Sequence, residues 1–343
     1  MAKAPIIEVA PEVDSLENAP LPREQQALFA HHGAEQEMQE AFAGARMHHA
    51  WLLGGPKGIG KATLAFRFAR HILGQGEGQT PQHTTAQISA GSHADLLHLR
   101  RPWDDKGKRF KRDLPVSEVR RTLSFFGSTA AGGNWRICIV DAADDMNASA
   151  ANALLKILEE PPKQALFLLL SHNPGRLLPT IRSRCRRLDL RPLSAPQILE
   201  ALAAMGEQVP QAGEDRRRLT TLADGSLRKA LLLCSGSALQ LAAEFEALMA
   251  HPQQMDFAAA HKFADKVAAR GAEDAWETFQ DLARNFLSAN LRKDTAATAS
   301  ALVTWAQLWE KMGHAVVQAD ALNLDRKQTV LSFFMDVRSA ARG

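Results

Sequence analysis

Apolar positions along the chain follow two rhythms. Up to about residue 192, short continuous apolar runs alternate with stretches of helical spacing, and beyond that only the helical spacing persists. The run Ala50-Trp51-Leu52-Leu53 predicts a buried strand leading straight into glycines. Residues 96–99, 136–140 (RICIV, ending at Asp141), 165–171 (ALFLLLS) and 187–190 predict four more. Leu28, Phe29, Met38, Ala41 and Phe42 predict a helix over 25–45, interrupted at Gly33. A second helix is expected over 116–126, capped by Ser117 with Arg120 and Arg121 on its outer face. A third runs from an Asn147 cap to Glu160, where Pro161-Pro162 stops it. Residues 74–94, rich in Gly, Gln, Thr and His, read as a polar surface insertion with little order, being too long for a core connector. Strands alternating with helices imply a parallel sheet covered on both faces.

Pro192-Leu193-Ser194 ends that pattern. The expected organisation is a loose leader over 1–22, an α/β domain over 23–192, a small helical domain over 193–236 and an all-helical domain over 237–343. In the last of these, Trp276, Phe279, Leu282 and Phe286, then Leu302, Trp305, Trp309, Met312 and Val316, then Val330, Phe333, Phe334 and Val337 mark helix faces read as core.

Length and composition fit this division. At 343 residues, 45% hydrophobic and 23% charged, the chain has material for more than one packed core and is neither disordered nor collagen-like. Three cysteines, Cys138, Cys185 and Cys234, are too few for a disulfide framework or a four-cysteine zinc site and point to a reducing compartment. No run of about 18 apolar residues suggests a membrane span. A net charge of +3 conceals segregation: residues 100–121 hold nine Lys or Arg against four Asp or Glu, and residues 176–191 hold six Arg against one Asp. Each segment is locally +5, leaving −7 for the rest.

Chemistry concentrates after the first strand, in Gly55-Pro56-Lys57-Gly58-Ile59-Gly60-Lys61-Ala62. A strand, glycines, a lysine and a following helix form a phosphate-binding loop. Glycines let backbone N–H groups converge on phosphate oxygens, the helix offers its positive end, and the lysine reaches the outer phosphates. Ala62 departs from the pattern: Ser or Thr there would ligate Mg²⁺, and Thr63 is turned by about 100° on the helix. Asp141, at the end of a buried strand, suits support of a metal and its waters. Ala142 stands where hydrolytic sites carry a water-orienting glutamate. A metal hydroxyl and a general base are thus both missing from a site that keeps its phosphate frame. Arg182-Ser183-Arg184-Cys185-Arg186-Arg187 precedes the last strand; an arginine at a domain edge can stabilise phosphoryl transfer in a neighbour's site.

Four segments carry a resemblance: 48–61 (HHAWLLGGPKGIGK), 152–162 (NALLKILEEPP), Ser183-Arg184-Cys185 and 223–231 (ADGSLRKAL). Their order and spacing resemble bacterial clamp-loader subunits of the AAA+ class, in the γ/τ/δ′ branch, over residues 27–235. The segment 321–327 (ALNLDRK) resembles the family's collar. The resemblance implies an α/β plus all-α chain: an AAA+ P-loop parallel α/β/α domain, a helical lid and a C-terminal helical collar. It further implies Arg184 as an arginine finger acting in trans, Arg228 as the second sensor and Ser171 at the first sensor's place. Gly55, Gly58, Gly60, Lys61 and Asp141 fall in a nucleotide site that Ala62 and Ala142 leave degenerate. No tightly bound cofactor, no metal and no zinc are expected of the chain, His83, His93 and His98 being irregularly spaced; ATP and Mg²⁺ belong to neighbouring subunits. The implied partners are γ/τ-type and δ-type subunits in a hetero-pentamer, with the sliding clamp and primed DNA reached through it, in a cytoplasmic, nucleoid-associated replisome. The alternatives are an active γ/τ-type ATPase and a free-standing DNA-binding module, whose affinity would be salt-sensitive.

Overall fold

The computed structural model describes residues 12–13, 15–16, 19–44, 47–76, 80–107, 109–127, 135–234, 238–292, 299–322 and 324–341. Most of the expected leader, 1–22, lies outside the described residues. The chain divides into two compact units, the first formed by Met1–Val209 with Ala223–Ala230 and the second by Pro210–Leu222 with Leu231–Gly343.

The first unit contains, in order, α1 (His32–Ala43), β1 (Ala50–Gly54), α2 (Lys61–Leu73), α3 (Pro81–Ser89), β2 (Leu96–Leu99), β3 (Trp103–Asp104), β4 (Arg109–Phe110), α4 (Val116–Gly127), β5 (Arg136–Asp141), α5 (Ala148–Glu159), β6 (Ala165–Ser171), α6 (Pro179–Arg182), β7 (Arg186–Asp189) and α7 (Ala195–Ala204). Five strands form one parallel sheet in the order β2-β5-β6-β1-β7. All seven residues of β6 and all five of β1 are buried, the signature of a parallel strand covered on both faces. One face packs Ala50, Leu52, Cys138, Val140, Phe167 and Leu169 against Leu154 and Leu158 of α5, Val119 of α4 and Ile181 of α6. The intervening residues, Trp51, Leu53, Ile137, Ile139 and Leu168, are equally buried and point to the opposite face by the two-residue strand period. The parallel α/β architecture expected from the sequence is the one observed.

Three local expectations are corrected. Residues 80–91 of the supposed loose insertion are ordered: Thr80 caps α3 by accepting from the His83 N–H, Pro81 occupies the first turn, and Thr84 and Ile88 are buried. The first helix begins at His32 rather than residue 25. His31, at φ 68°, turns the chain there, and Leu28 is buried without being helical. Ser117 is inside α4, whose first turn bonds back to the Pro115 carbonyl, and caps nothing.

The second unit is helical throughout its described residues: α8 (Gly213–Ala223), the end of α9 (Leu227–Cys234), α10 (Ala238–Ala250), α11 (Phe257–Val267), α12 (Glu273–Arg292), α13 (Ala299–Leu322) and α14 (Arg326–Ala340). Phe245, Phe263, Phe279, Phe333 and Phe334 form its aromatic centre with ring centroids 5.4–6.4 Å apart. The Trp276 indole N–H finds Asp320 Oδ1 at 2.8 Å. Trp309 departs from the expected stripe, at 40% exposed.

Candidate functional site

Strand register assembles the site. Gly54 pairs with Ser171, while Leu170 pairs with Asp141, so the C-terminal ends of β1, β6 and β5 lie side by side. In open α/β sheets this rim is where ligands bind. The glycine loop leaves β1 here, with Gly55, Gly58 and Gly60 at φ 140°, 79° and 101°, and Gly60 opens α2. A β-carbon on Gly55 would lie 2.5 Å from the Leu190 carbonyl oxygen, and one on Gly58 would lie 2.3 Å from Ser226 Oγ and 2.6 Å from Arg228 Cβ. Glycine is therefore required at both positions by backbone angle and by space.

Lys61 turns inward on this loop. Its Nζ donates to the Gly55 and Pro56 carbonyls, each at 2.7 Å, and the residue is 4% exposed. Burial pushes its pKa down to about 8, against the opposing pull of Asp141 and Asp144. Burial, reinforced by Lys61, also lowers the pKa of His172. His31, unremarked in the sequence, braces the loop through a 2.8 Å contact between Nε2 and the Ile59 carbonyl.

At the neighbouring strand ends, Asp141 Oδ2 lies 3.7 Å from His98 Nε2. Ser171 is fully buried, and its hydroxyl donates to Asp144 Oδ1 at 2.8 Å. Asp144 also accepts from the backbone N–H of His172, at 2.5 Å, and of Asn173, at 3.1 Å. The carboxylate thus anchors the turn after β6. Only its place in Asp141-Ala142-Ala143-Asp144 hinted at a role, since nothing in the sequence links it to residues 171–173. Arg228 joins the rim through its backbone: its N–H donates to the Gly58 carbonyl at 3.1 Å.

The donor set does not fit a catalytic magnesium. Ala62 has no oxygen at the position following Lys61, Ala142 is a methyl group at 4% exposure, and Asp144 is committed to three donors. Among the described residues no group of three His, Cys, Asp or Glu could hold a metal ion.

Arg184 stands apart from the other candidates. It precedes β7, the edge strand beside β1, and Arg186 pairs with Trp51. That register sets Arg184 at the N-terminal rim of the sheet, whereas Gly55 leaves the C-terminal rim, about 13 Å away along a five-residue strand. Its guanidinium contacts Glu159 and the Thr180 carbonyl. Cys185, next to it, is buried in the sheet core, and burial pushes its thiol pKa up to about 12. It is a packing residue with no nucleophilic character.

Residues 30–194 match the protein family described as DNA polymerase III, delta subunit. DNA polymerase III subunit delta′ of Pseudomonas aeruginosa is 36% identical over 198 residues, 56% of this chain and 58% of that protein. The delta′ subunit of Escherichia coli K12 is 32% identical over 208 residues, 59% of each. DNA polymerase III subunit tau of Salmonella typhimurium is 34% identical over 194 residues, 55% of this chain and 29% of that protein. The match with each thus spans less than two thirds of the relative's length. Apart from Ser226 and Arg228, every residue of the site falls within 30–194, so the stretch that carries the site is the one that matches this family model and is similar to DNA polymerase III delta′ subunits.

Proposed function

We propose that the chain is a delta′-like subunit of a DNA polymerase III clamp loader that hydrolyses no ATP itself and completes a neighbour's ATPase site. In this reading Arg184 reaches in trans toward ATP held with Mg²⁺ by a γ/τ-type subunit. The assembly is a cytoplasmic hetero-pentamer with a δ-type subunit, and it loads the sliding clamp onto primed DNA. The observation that carries the reading is the separation of Arg184 from its own glycine loop. An arginine at the opposite rim of the sheet, in the turn before an edge strand, cannot serve the loop of its own chain but is available to another. Its positive charge would balance the negative charge spreading over the transferring phosphoryl group, an effect of roughly 10³ to 10⁵ in rate where such fingers operate.

Identity to delta′ and tau relatives is too similar to separate the two types, so the discrimination rests on residues. Ala62 and Ala142 remove the metal hydroxyl and the water-orienting carboxylate, and Lys61 is engaged with the loop's own carbonyls. The purified chain should therefore show no magnesium-dependent ATP turnover. Appreciable turnover by the chain alone would favour the γ/τ motor reading, with Thr63 or a water in place of the missing hydroxyl. In a loader reconstituted with its partner subunits, clamp and primed DNA, Arg184→Ala should lower turnover while the complex elutes intact on gel filtration. Unchanged turnover would remove the finger assignment.

A further inference from the structure

Arg184 is held at two points. Its Nη2 lies 2.8 Å from Glu159 Oε1, and its Nη1 donates to the Thr180 carbonyl at 3.0 Å. A guanidinium carries five N–H donors, two on each terminal nitrogen and one on Nε. One hydrogen bond and one ion pair, on different terminal nitrogens, hold the group and leave at least three N–H donors unbonded. Among the described residues this side chain makes no other hydrogen bond or ion pair, and it is 35% exposed.

The anchors themselves are rigid. Glu159 is the last residue of α5, a helix whose Leu154 and Leu158 are buried in the sheet core. Thr180 lies in α6, pinned by the fully buried Ile181, and its carbonyl also receives the Ser183 hydroxyl at 3.1 Å. The arginine further sits at the negative end of the α5 dipole, which favours its charge there. Ser183 and Cys185 fix the backbone on either side, one by a hydrogen bond and the other by burial.

We propose that Glu159 is a positioning residue for the Arg184 finger: it aims the guanidinium outward from the rim without itself reaching a nucleotide. This rests on the trans-finger reading of Arg184. A carboxylate can also restrain an arginine, and the number of free donors separates the cases. A restraint would occupy the edge that must meet phosphate, whereas this arrangement leaves Nε and at least one hydrogen on each terminal nitrogen clear. Arg184 can therefore bind a phosphate oxygen without leaving Glu159.

The test uses the reconstituted loader with clamp and primed DNA, and compares Glu159→Ala, Glu159→Gln, Arg184→Ala and the Arg184→Ala/Glu159→Ala double variant. Arg184→Ala defines the finger-dependent part of ATP turnover. Glu159→Ala should lower that part about fivefold, the factor that ~1 kcal/mol of orienting energy from an exposed ion pair supplies. The loss should fall in kcat with KM for ATP unchanged, because the finger acts on the transition state. Glu159→Gln, which keeps the side chain's length and an oxygen beside Nη2 but removes the charge of the ion pair, should retain more turnover than Glu159→Ala and less than wild type. The double variant should match Arg184→Ala alone. Wild-type or raised turnover in Glu159→Ala would overturn the proposal, as would a further loss when Glu159→Ala is added to Arg184→Ala. If Arg184→Ala itself has no effect, the finger reading falls and takes this one with it, a result distinct from a Glu159 failure on a working finger.

Discussion

Gly58 and Gly60 allow two contributions to the glycine loop to be measured separately. Both have positive φ, 79° and 101°, so alanine at either carries a left-handed strain of about 1–2 kcal/mol. Their surroundings differ. A β-carbon at Gly60 meets nothing closer than His31 Cδ2 at 4.0 Å, whereas one at Gly58 would lie 2.3 Å from Ser226 Oγ and 2.6 Å from Arg228 Cβ. Neither of those atoms can easily yield: Ser226 is 3% exposed, and Arg228 Cβ is attached to a backbone whose N–H is bonded to Gly58 itself. Overpacking of this kind adds about 1–3 kcal/mol, so Gly58→Ala should cost about 2–5 kcal/mol in all and Gly60→Ala only the strain. Native-state hydrogen exchange of the β1 amides reports the stability of the first unit for each variant. The Arg228 amide supplies the specific readout, since it should lose protection beyond the global change in Gly58→Ala and not in Gly60→Ala. Equal destabilisation by the two substitutions, with Arg228 unaffected, would refute the claim that the loop and the 226–228 segment are locked by close contact.

Other outcomes follow from single groups. Lys61 has a folded pKa of about 8 against an ordinary value of 10.5, so between those values the unfolded chain binds the extra proton. Stability should therefore drop by about 3 kcal/mol as pH falls from 10.5 to 8 and then level off, a component absent from Lys61→Met in urea titrations across that range. Asp144→Ala strips acceptors from Ser171, His172 and Asn173 and should cost about 2–4 kcal/mol, with hydrogen exchange rising first at 171–173. In the second unit Phe279→Ala, at a fully buried ring against four other phenylalanines, should cost about 3–5 kcal/mol by chemical denaturation. Trp309→Ala, at 40% exposure, should cost much less despite removing a larger side chain.

What was legible in the sequence depended on how each element buries its residues. β1, β5 and β6 stood out because a parallel strand buried on both faces is a continuous apolar run, and the α5 start stood out because Asn147 accepts from the Ala150 N–H as an N-cap does. Helix α3 was hidden by its composition: only Thr84 and Ile88 are buried, too few for a visible period, although Thr80-Pro81 is a sound start signal. Leu28 misled in the other direction, being buried by tertiary packing before the helix begins. In the site, motif spacing pointed to the loop, Asp141 and Arg184. The Asp144 anchor and the Glu159–Arg184 pair depend on contacts between segments 12 or more residues apart, which no local pattern encodes.

The glycine loop and the arginine occupy opposite ends of the sheet, yet one strand connects their fates. The Gly54 carbonyl accepts the Leu190 N–H at 2.8 Å, and Gly54 pairs with Asp189 at the end of β7. A β-carbon at Gly54 would lie 2.6 Å from Asp189 Oδ1, and one at Gly55 2.5 Å from the Leu190 carbonyl oxygen. The glycines that would admit a phosphate are thus the same ones that let the end of β7 close against β1. Arg184 is the second residue before β7, and the Arg186 guanidinium lies 4.5 Å over the Trp51 ring at the strand's other end. A bulkier residue in the loop would push β7 away from β1 and loosen the edge that presents Arg184. The side chains at 62 and 142 do not enter this mechanical requirement, because neither position takes part in the β1–β7 pairing. The glycines of this loop are therefore required by the β1–β7 packing itself, whatever the loop binds.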